Sequence, residues 1–269
     1  MKKICLLVLF ALLMAPIICS AQVEKTDNLP IIIILLDKSE ITGLLIEEDN
    51  EKIVVQSETL GLLTFSKSEV KKIIRLNSQG RIENPNPTKY FLSQSAFTLP
   101  KGEGYYQNIM AVVNLASYGI TDHLSATVGI ELISMFQGVP IFFTNLKYGV
   151  PISKNWNVAL SASYLNVAAI EPGTHIGTFS FLTTFGSKEN NITVGAGYAL
   201  ASGELTDSPA ITFAGLLRVS KKIGIVGESY YLSGESVFGL GVRFYGKKKT
   251  IDLLVTRGGF PAVDFVFKF

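Results

Sequence analysis

Reactive side chains are scarce in this chain of 269 residues. Its two cysteines, Cys5 and Cys19, both fall in the N-terminal apolar segment, so the rest of the chain has no disulfide, thiolate nucleophile or cysteine-held metal. The two histidines, His123 and His175, stand far apart in sequence, and no Gly-x-Ser-x-Gly elbow accompanies either. No cofactor and no metal site is therefore expected. Charge of one sign is also missing: the 24 basic residues less Lys2 and Lys3 balance the 22 acidic ones. A neutral chain has no global field to attract nucleic acid, and no nucleic-acid partner is expected. Finally, beyond residue 36 no apolar run approaches the roughly 20 residues of a spanning helix. Yet mean hydropathy is high, at +0.35.

The N-terminus resolves part of that tension. Lys2 and Lys3 precede an apolar run from Ile4 to Ile18, and Cys19-Ser20-Ala21 supplies small residues before Gln22. This is the layout of a secretory signal peptide, expected over 1–21. A lipoprotein anchor at Cys19 would want a small residue where Ile18 stands.

Residues 22–76 read as a small β-module. Ile31–Leu36, Ile41–Ile46, Ile53–Val55, Leu62–Phe65 and Ile73-Ile74 are short strands, and Glu47–Lys52 is a charged turn. Ser66-Lys67-Ser68-Glu69 has the spacing of a capping box around one helical turn. Five strands with a turn before the last resemble an SH3-like or Sm-like barrel. Sm-like proteins bind RNA through an Arg-Gly loop, which Lys71–Arg75 lacks, so the resemblance implies the fold and not the RNA. A periplasmic protein partner for residues 29–76 is expected instead, with Glu47–Lys52 as its candidate surface. Residues 77–89, polar and broken by Asn84-Pro85-Asn86-Pro87, read as a linker.

From residue 90 to 269 apolar and polar residues alternate with period two. In 156–167, for example, Val158, Leu160, Ala162 and Tyr164 oppose Ala159, Ser161 and Ser163, which marks a strand with two unlike faces. Twelve strands are expected: 90–99, 104–117, 122–134, 140–152, 155–167, 174–186, 191–200, 209–220, 223–233, 235–246, 249–257 and 262–269. An even count suits a bacterial membrane barrel. Alternate connections are tight and polar, and next to them stand Tyr118, Tyr148, Trp156, Phe185 and Tyr245, expected as interface aromatics on one rim. The other loops, including Pro100–Gly104, are short and expected at the opposite, outer end.

The last residues, with Phe265, Phe267 and Phe269 on one face, resemble the C-terminal signal that the barrel assembly machinery recognises. Lys101–Asn108 and Tyr118–Asp122 resemble a group of uncharacterised outer-membrane barrels from Bacteroidetes-like bacteria, a resemblance that implies no activity. The expected fold is an all-β, antiparallel, up-and-down transmembrane barrel behind a small periplasmic module, with outer-membrane lipid as its surroundings.

Eight charged residues, Glu131, Lys147, Arg218, Glu228, Arg243, Asp252, Asp264 and Lys268, fall on inward positions. They either line a narrow aqueous path or pair and seal it. Gly129, Gly195, Gly197, Gly239 and Gly241 share that face. The expected function is a non-enzymatic narrow channel or structural barrel. The alternatives are a lipid-acting enzyme at the outer rim, with His175 beside Ser180 or Thr178, and a soluble exported β-protein with a binding role.

Overall fold

The computed structural model describes residues 30–77, 80–167, 174–201, 203–232 and 235–269. The expected signal peptide lies outside the described residues.

Five strands form the N-terminal unit: β1 (Pro30–Leu35), β2 (Glu40–Glu48), β3 (Lys52–Ser57), β4 (Gly61–Ser66) and β5 (Val70–Arg75). They make one antiparallel sheet in the order β4-β3-β2-β1-β5. Alternate apolar residues turn to one face, where Ile31, Ile33, Ile53 and Val55 are buried against Leu45, Phe65 and Ile73. The predicted capping box is present on a 3-10 turn, Lys67–Glu69. The Ser66 side chain accepts from the backbone N–H of Ser68, and Glu69 accepts from that of Ser66. In the charged turn, the backbone N–H groups of Lys52 and Glu51 hold the Asp49 carboxyl below its ordinary range.

Gly43 lets β2 and β3 approach closely. A Cβ there would lie 2.5 Å from both the Gln56 carbonyl oxygen and Val55 Cγ1. Gly43→Val is expected to destabilise this unit by about 1–3 kcal/mol through overpacking. Protease cleavage within residues 30–75 should rise while the heat-modifiable band of the barrel stays in place.

The second sheet closes on itself. Its strands are β6 (Gly104–Ile109), β7 (Val113–Gly119), β8 (Leu124–Glu131), β9 (Phe142–Ser153), β10 (Trp156–Asn166), β11 (His175–Gly186), β12 (Asn190–Ala201), β13 (Glu204–Leu205), β14 (Ala210–Arg218), β15 (Ile223–Leu232), β16 (Glu235–Tyr245), β17 (Lys249–Thr256) and β18 (Pro261–Lys268). Each long strand pairs antiparallel with its chain neighbours, β18 pairs with β6, and β13 is a two-residue spur on the end of β12. Without the spur the barrel has twelve strands.

That total matches the sequence expectation, but two of its members differ. Residues 90–99 form no strand. Residues 104–117 hold parts of two strands, β6 and β7, joined by a turn in which Met110 and Ala111 both have positive φ (55° and 61°). Successive positive φ values in a hairpin turn favour Asn and Gly, so a turn through Met110 and Ala111 carries no sequence mark. The loop between residues 131 and 142 also contains a short helix, α1 (Leu132–Phe136), with Glu131 as N-cap.

Gly104 and Phe269 exchange backbone hydrogen bonds, so Pro100–Gly104 lies at the same end as the tight turns and not at the opposite one. Outward positions carry exposed apolar residues all round, among them Val128, Leu146, Leu160, Phe181, Phe213, Leu240 and Leu253. A continuous apolar exterior of this extent is a lipid-facing surface. Tyr118, Tyr148, Trp156 and Phe185 belong to that exterior near the tight turns, and Trp156 stacks on Phe185 with centroids 5.8 Å apart. Tyr245 does not: strand parity turns it inward, where it is 5% exposed. Phe265, Phe267 and Phe269 share the outward face of the last strand, and Phe267 and Phe269 are exposed.

Candidate functional site: a hairpin inside the barrel

The interior is occupied by the segment read from sequence as the end of a linker and a first strand. Asn84, Asn86, Thr88, Lys89, Tyr90, Phe91, Ser93, Ser95, Ala96, Phe97 and Leu99 are all buried. The segment is an irregular hairpin. The backbone N–H of Ser95 donates to the Thr88 carbonyl (3.0 Å), that of Tyr90 to Ser93 (2.9 Å), and Lys89 bridges Gln94. Such backbone can lie inside a barrel only if its polar groups find partners there.

The inward charges provide them. Glu228 receives the tip: the backbone N–H groups of Phe91 (3.1 Å), Leu92 (3.1 Å) and Ser93 (2.9 Å) and the Ser93 hydroxyl (2.6 Å) all donate to its carboxylate. Arg243 takes the opposite polarity. Its Nη1 donates to the carbonyls of Asn86 (3.1 Å) and Lys89 (3.3 Å), its Nη2 donates to Tyr90, and Asp252 clasps it from the wall at 2.7 and 2.8 Å. Lys147 Nζ donates to the carbonyls of Thr88 (3.2 Å) and Ser95 (3.0 Å), across the two arms. Gln107 donates to both the Phe91 carbonyl and Asp264. On the hairpin itself, Lys89 reaches Gln107 and the Tyr90 hydroxyl reaches Asn191 and Thr193. Around the tip Phe91 packs with Ile109, Leu115, Leu216, Val226 and Leu254.

Both ends of the insert are tied at the tight-turn rim. Where it goes in, the Asn84 N–H donates to Glu189 (2.6 Å) and the Asn84 amide to the Lys188 carbonyl. Burial raises the Glu189 carboxyl above its ordinary range, opposed by the Arg218 guanidinium 2.6 Å away and by that Asn84 N–H. Arg218 also donates to the Ile82 carbonyl and lies over the Tyr245 ring, 3.5 Å from its centroid. This cation–π contact uses the aromatic that sequence reading assigned to the membrane rim. Where the insert comes out, Thr98 and Lys101 bond Asp122.

Of the eight charged positions singled out from sequence, Lys147, Arg218, Glu228, Arg243, Asp252 and Asp264 therefore converge on the inserted segment and the wall around it. Glu131 and Lys268 stand apart. Glu131 caps α1 at the far rim through the N–H groups of Ile133 and Ser134. Lys268 pairs with Glu103 at 2.8 Å, partly exposed at the near rim. Lys89, Tyr90, Gln107 and Asn84 were not singled out. The available signal was Lys89, a cation directly before the apolar Tyr90-Phe91-Leu92.

Glu228→Ala would leave three hairpin-tip N–H groups and the Ser93 hydroxyl without their acceptor. Hydrogen bonds to a charged acceptor contribute about 1.5–3 kcal/mol each. Amide exchange at Phe91, Leu92 and Ser93 is expected to accelerate by at least about a hundredfold. Unchanged protection there would mean that apolar packing alone holds the tip.

The histidines are separated by the barrel. His123 lies beside the Gly149 carbonyl (3.2 Å) near a tight turn, and His175 stacks on Tyr164 (5.9 Å) on the outward face near the other rim. On β11, Thr178 and Ser180 have the opposite parity and face inward. The pairing required by a rim esterase is therefore absent from the geometry. No group of three metal-ligating side chains occurs among the described residues.

No known family model matches the chain, and no curated protein matches it. Among solved structures, the KdgM porin in complex with disordered oligogalacturonate aligns at 8% identity and a TM-score of 0.48, covering 62% of this chain and 98% of that one. The NanC porin aligns at 7% identity and a TM-score of 0.39, covering 62% and 97%. OmpT, an outer membrane protein of Vibrio cholerae, aligns at 10% identity and a TM-score of 0.35, covering 90% and 97%. The architecture described above rests on the strand pairing and not on these alignments.

Proposed function

We propose that this protein is a non-enzymatic outer-membrane barrel, closed by its own inserted hairpin, that holds the small β-module on the periplasmic side. The observation that carries the reading is the use made of the inward charges. Glu228, Arg243 and Lys147 are turned onto backbone groups of residues 86–95 rather than onto an open path. A twelve-stranded wall encloses more space than the side chains of an eight-stranded barrel fill, and the hairpin takes up the difference in the half nearer the tight turns. Charges so engaged are withdrawn from ion selection.

The tight-turn rim belongs on the periplasmic side in this reading. The exposed aromatics beside it, the terminal Phe269 and the N-terminal module all gather there. An SH3-like or Sm-like role for the module is part of the proposal, supported by its strand order and its single 3-10 turn before β5. The intact protein, refolded and inserted into planar bilayers, is expected to stay at baseline current. Sustained discrete openings of the intact chain would sink the closed reading and favour a narrow channel.

A further inference from the structure

The tight-turn rim contains a second constellation that the closure of the lumen does not use. Between the last strand of the module, the segment 82–85 and the β16–β17 turn lies a cleft of about 200 Å³. Its charged lining is Lys72, Arg75, Lys247, Lys248 and Lys268, against Glu83 as the one carboxylate. Even that carboxylate is drawn away, 3.5 Å from Lys188. Arg75 pairs with Glu48 at 2.6 Å and Lys268 with Glu103 at 2.8 Å. Lys72, Lys247 and Lys248 form no ion pair among the described residues.

Three ammonium groups gathered around one concavity repel each other, a cost that nothing in the fold requires. The turn needs none of its lysines for geometry: it closes through backbone bonds, Gly246 N–H to the Lys249 carbonyl (2.8 Å) and Lys268 N–H to that of Lys248 (2.7 Å). Partial desolvation and the like charge of Lys72 push Lys247 below its ordinary range, opposed more weakly by the carboxylate of Glu40. An anion in the cleft reverses that balance.

We propose that this cleft is a binding site for a phosphoryl anion, held by Lys72, Lys247 and Lys248. The volume corresponds to several waters at about 30 Å³ each, enough for a hydrated phosphate or a small headgroup and too little for a folded polymer. The outward neighbours Phe244, Phe267 and Phe269 are exposed apolar rings on the two strands that flank the cleft. A phosphoryl group carried on acyl chains can therefore place its chains on the lipid-facing wall and its charge between the lysines. Free phosphate offers the same charge without the chains.

The test is titration calorimetry on the full detergent-solubilised protein with three probes: dihexanoyl phosphatidylglycerol, dihexanoyl phosphatidylcholine and inorganic phosphate. Two triple variants accompany it: Lys72→Gln/Lys247→Gln/Lys248→Gln in the cleft, and Lys154→Gln/Lys221→Gln/Lys222→Gln on other turns of the same rim. Heat-modifiability verifies that each variant folds. The cleft variant is expected to weaken binding about a hundredfold, each lysine beside an anionic phosphoryl contributing about fivefold, while the control variant binds as the parent does. Binding of the glycerol lipid alone identifies a headgroup site. Binding of phosphate as well identifies a site for the phosphoryl group itself, and binding of phosphate alone a site for the free anion. If no probe binds, or if both triple variants lose affinity equally, the rim provides only a diffuse positive field and the site does not exist.

Discussion

Replacing residues 86–97 with a glycine–serine stretch of equal length is expected to turn a barrel at electrical baseline into one that conducts steadily. The hairpin is an insert and not part of the wall: no barrel strand pairs with it, and the closure β18–β6 and β11–β12 proceeds without it. Its removal therefore leaves all the strand ladders in place. The wall would then face the space with Lys147, Arg218 and Arg243 against Glu189, Glu228, Asp252 and Asp264, now able to hydrate. Water can enter because these side chains are polar and because Gly195, Gly197 and Gly241 bring no bulk to the inner surface. With acidic groups in slight excess, the opened barrel is expected to prefer cations weakly. Adding Lys147→Ala should strengthen that preference and adding Glu228→Ala should abolish it. The measurement is reversal potential in a salt gradient across a planar bilayer. A refolded, heat-modifiable variant that stays silent would mean that the half of the barrel beyond the hairpin tip is closed by its own side chains, Phe143 and Leu254 among them.

Most of the architecture is legible in the sequence because a membrane wall imposes one rule on every strand. Outward residues meet lipid and inward residues do not, so period-two alternation fixes both the strands and their faces. That is why the sequence alone gives the parity of Lys147, Glu228 and Arg243. The rule fails where a residue is shielded from lipid by something other than the wall. Residues 88–99 alternate loosely and contain Tyr90, Phe91 and Phe97, and so imitate a strand. Their apolar residues in fact pack against the inside of the barrel and their backbone pairs with side chains. Tyr245 misleads for a related reason. It stands beside a tight turn as the rim aromatics do, but its neighbour Phe244 takes the outward position and Tyr245 supports Arg218. The strand count came out at twelve through compensation, the Met110-Ala111 turn adding the strand that residues 90–99 removed. Turn type at a hairpin depends on φ, and neither Met nor Ala announces a positive φ.

The same distinction between wall and insert sets the outcome of removing the fully buried guanidinium at position 243. Arg243→Met deletes a group that satisfies Asp252 twice and three hairpin carbonyls at once. The remaining Asp252 is buried without its partner and close to a second buried carboxylate, Asp264, opposite it across β17 and β18. Breaking one side of a buried pair costs about 3–5 kcal/mol, because an uncompensated charge stays behind. The expected result is a fall of that size in the urea unfolding free energy of the refolded barrel in detergent micelles. Arg243→Met/Asp252→Leu removes both charges and is expected to recover most of the loss, since an apolar pair of similar volume is often neutral or better. Recovery of the wall does not restore the hairpin. The carbonyls of Asn86, Lys89 and Tyr90 still lack a donor in the double variant, and the hairpin satisfies them by opening to water instead of staying packed against the wall. Stability and closure should therefore separate: the double variant unfolds at nearly the parental urea concentration but exchanges its hairpin amides faster and shows intermittent current. If closure returned together with stability, the guanidinium would be part of the wall alone, and the hairpin would be held by Glu228, Lys147 and its apolar tip.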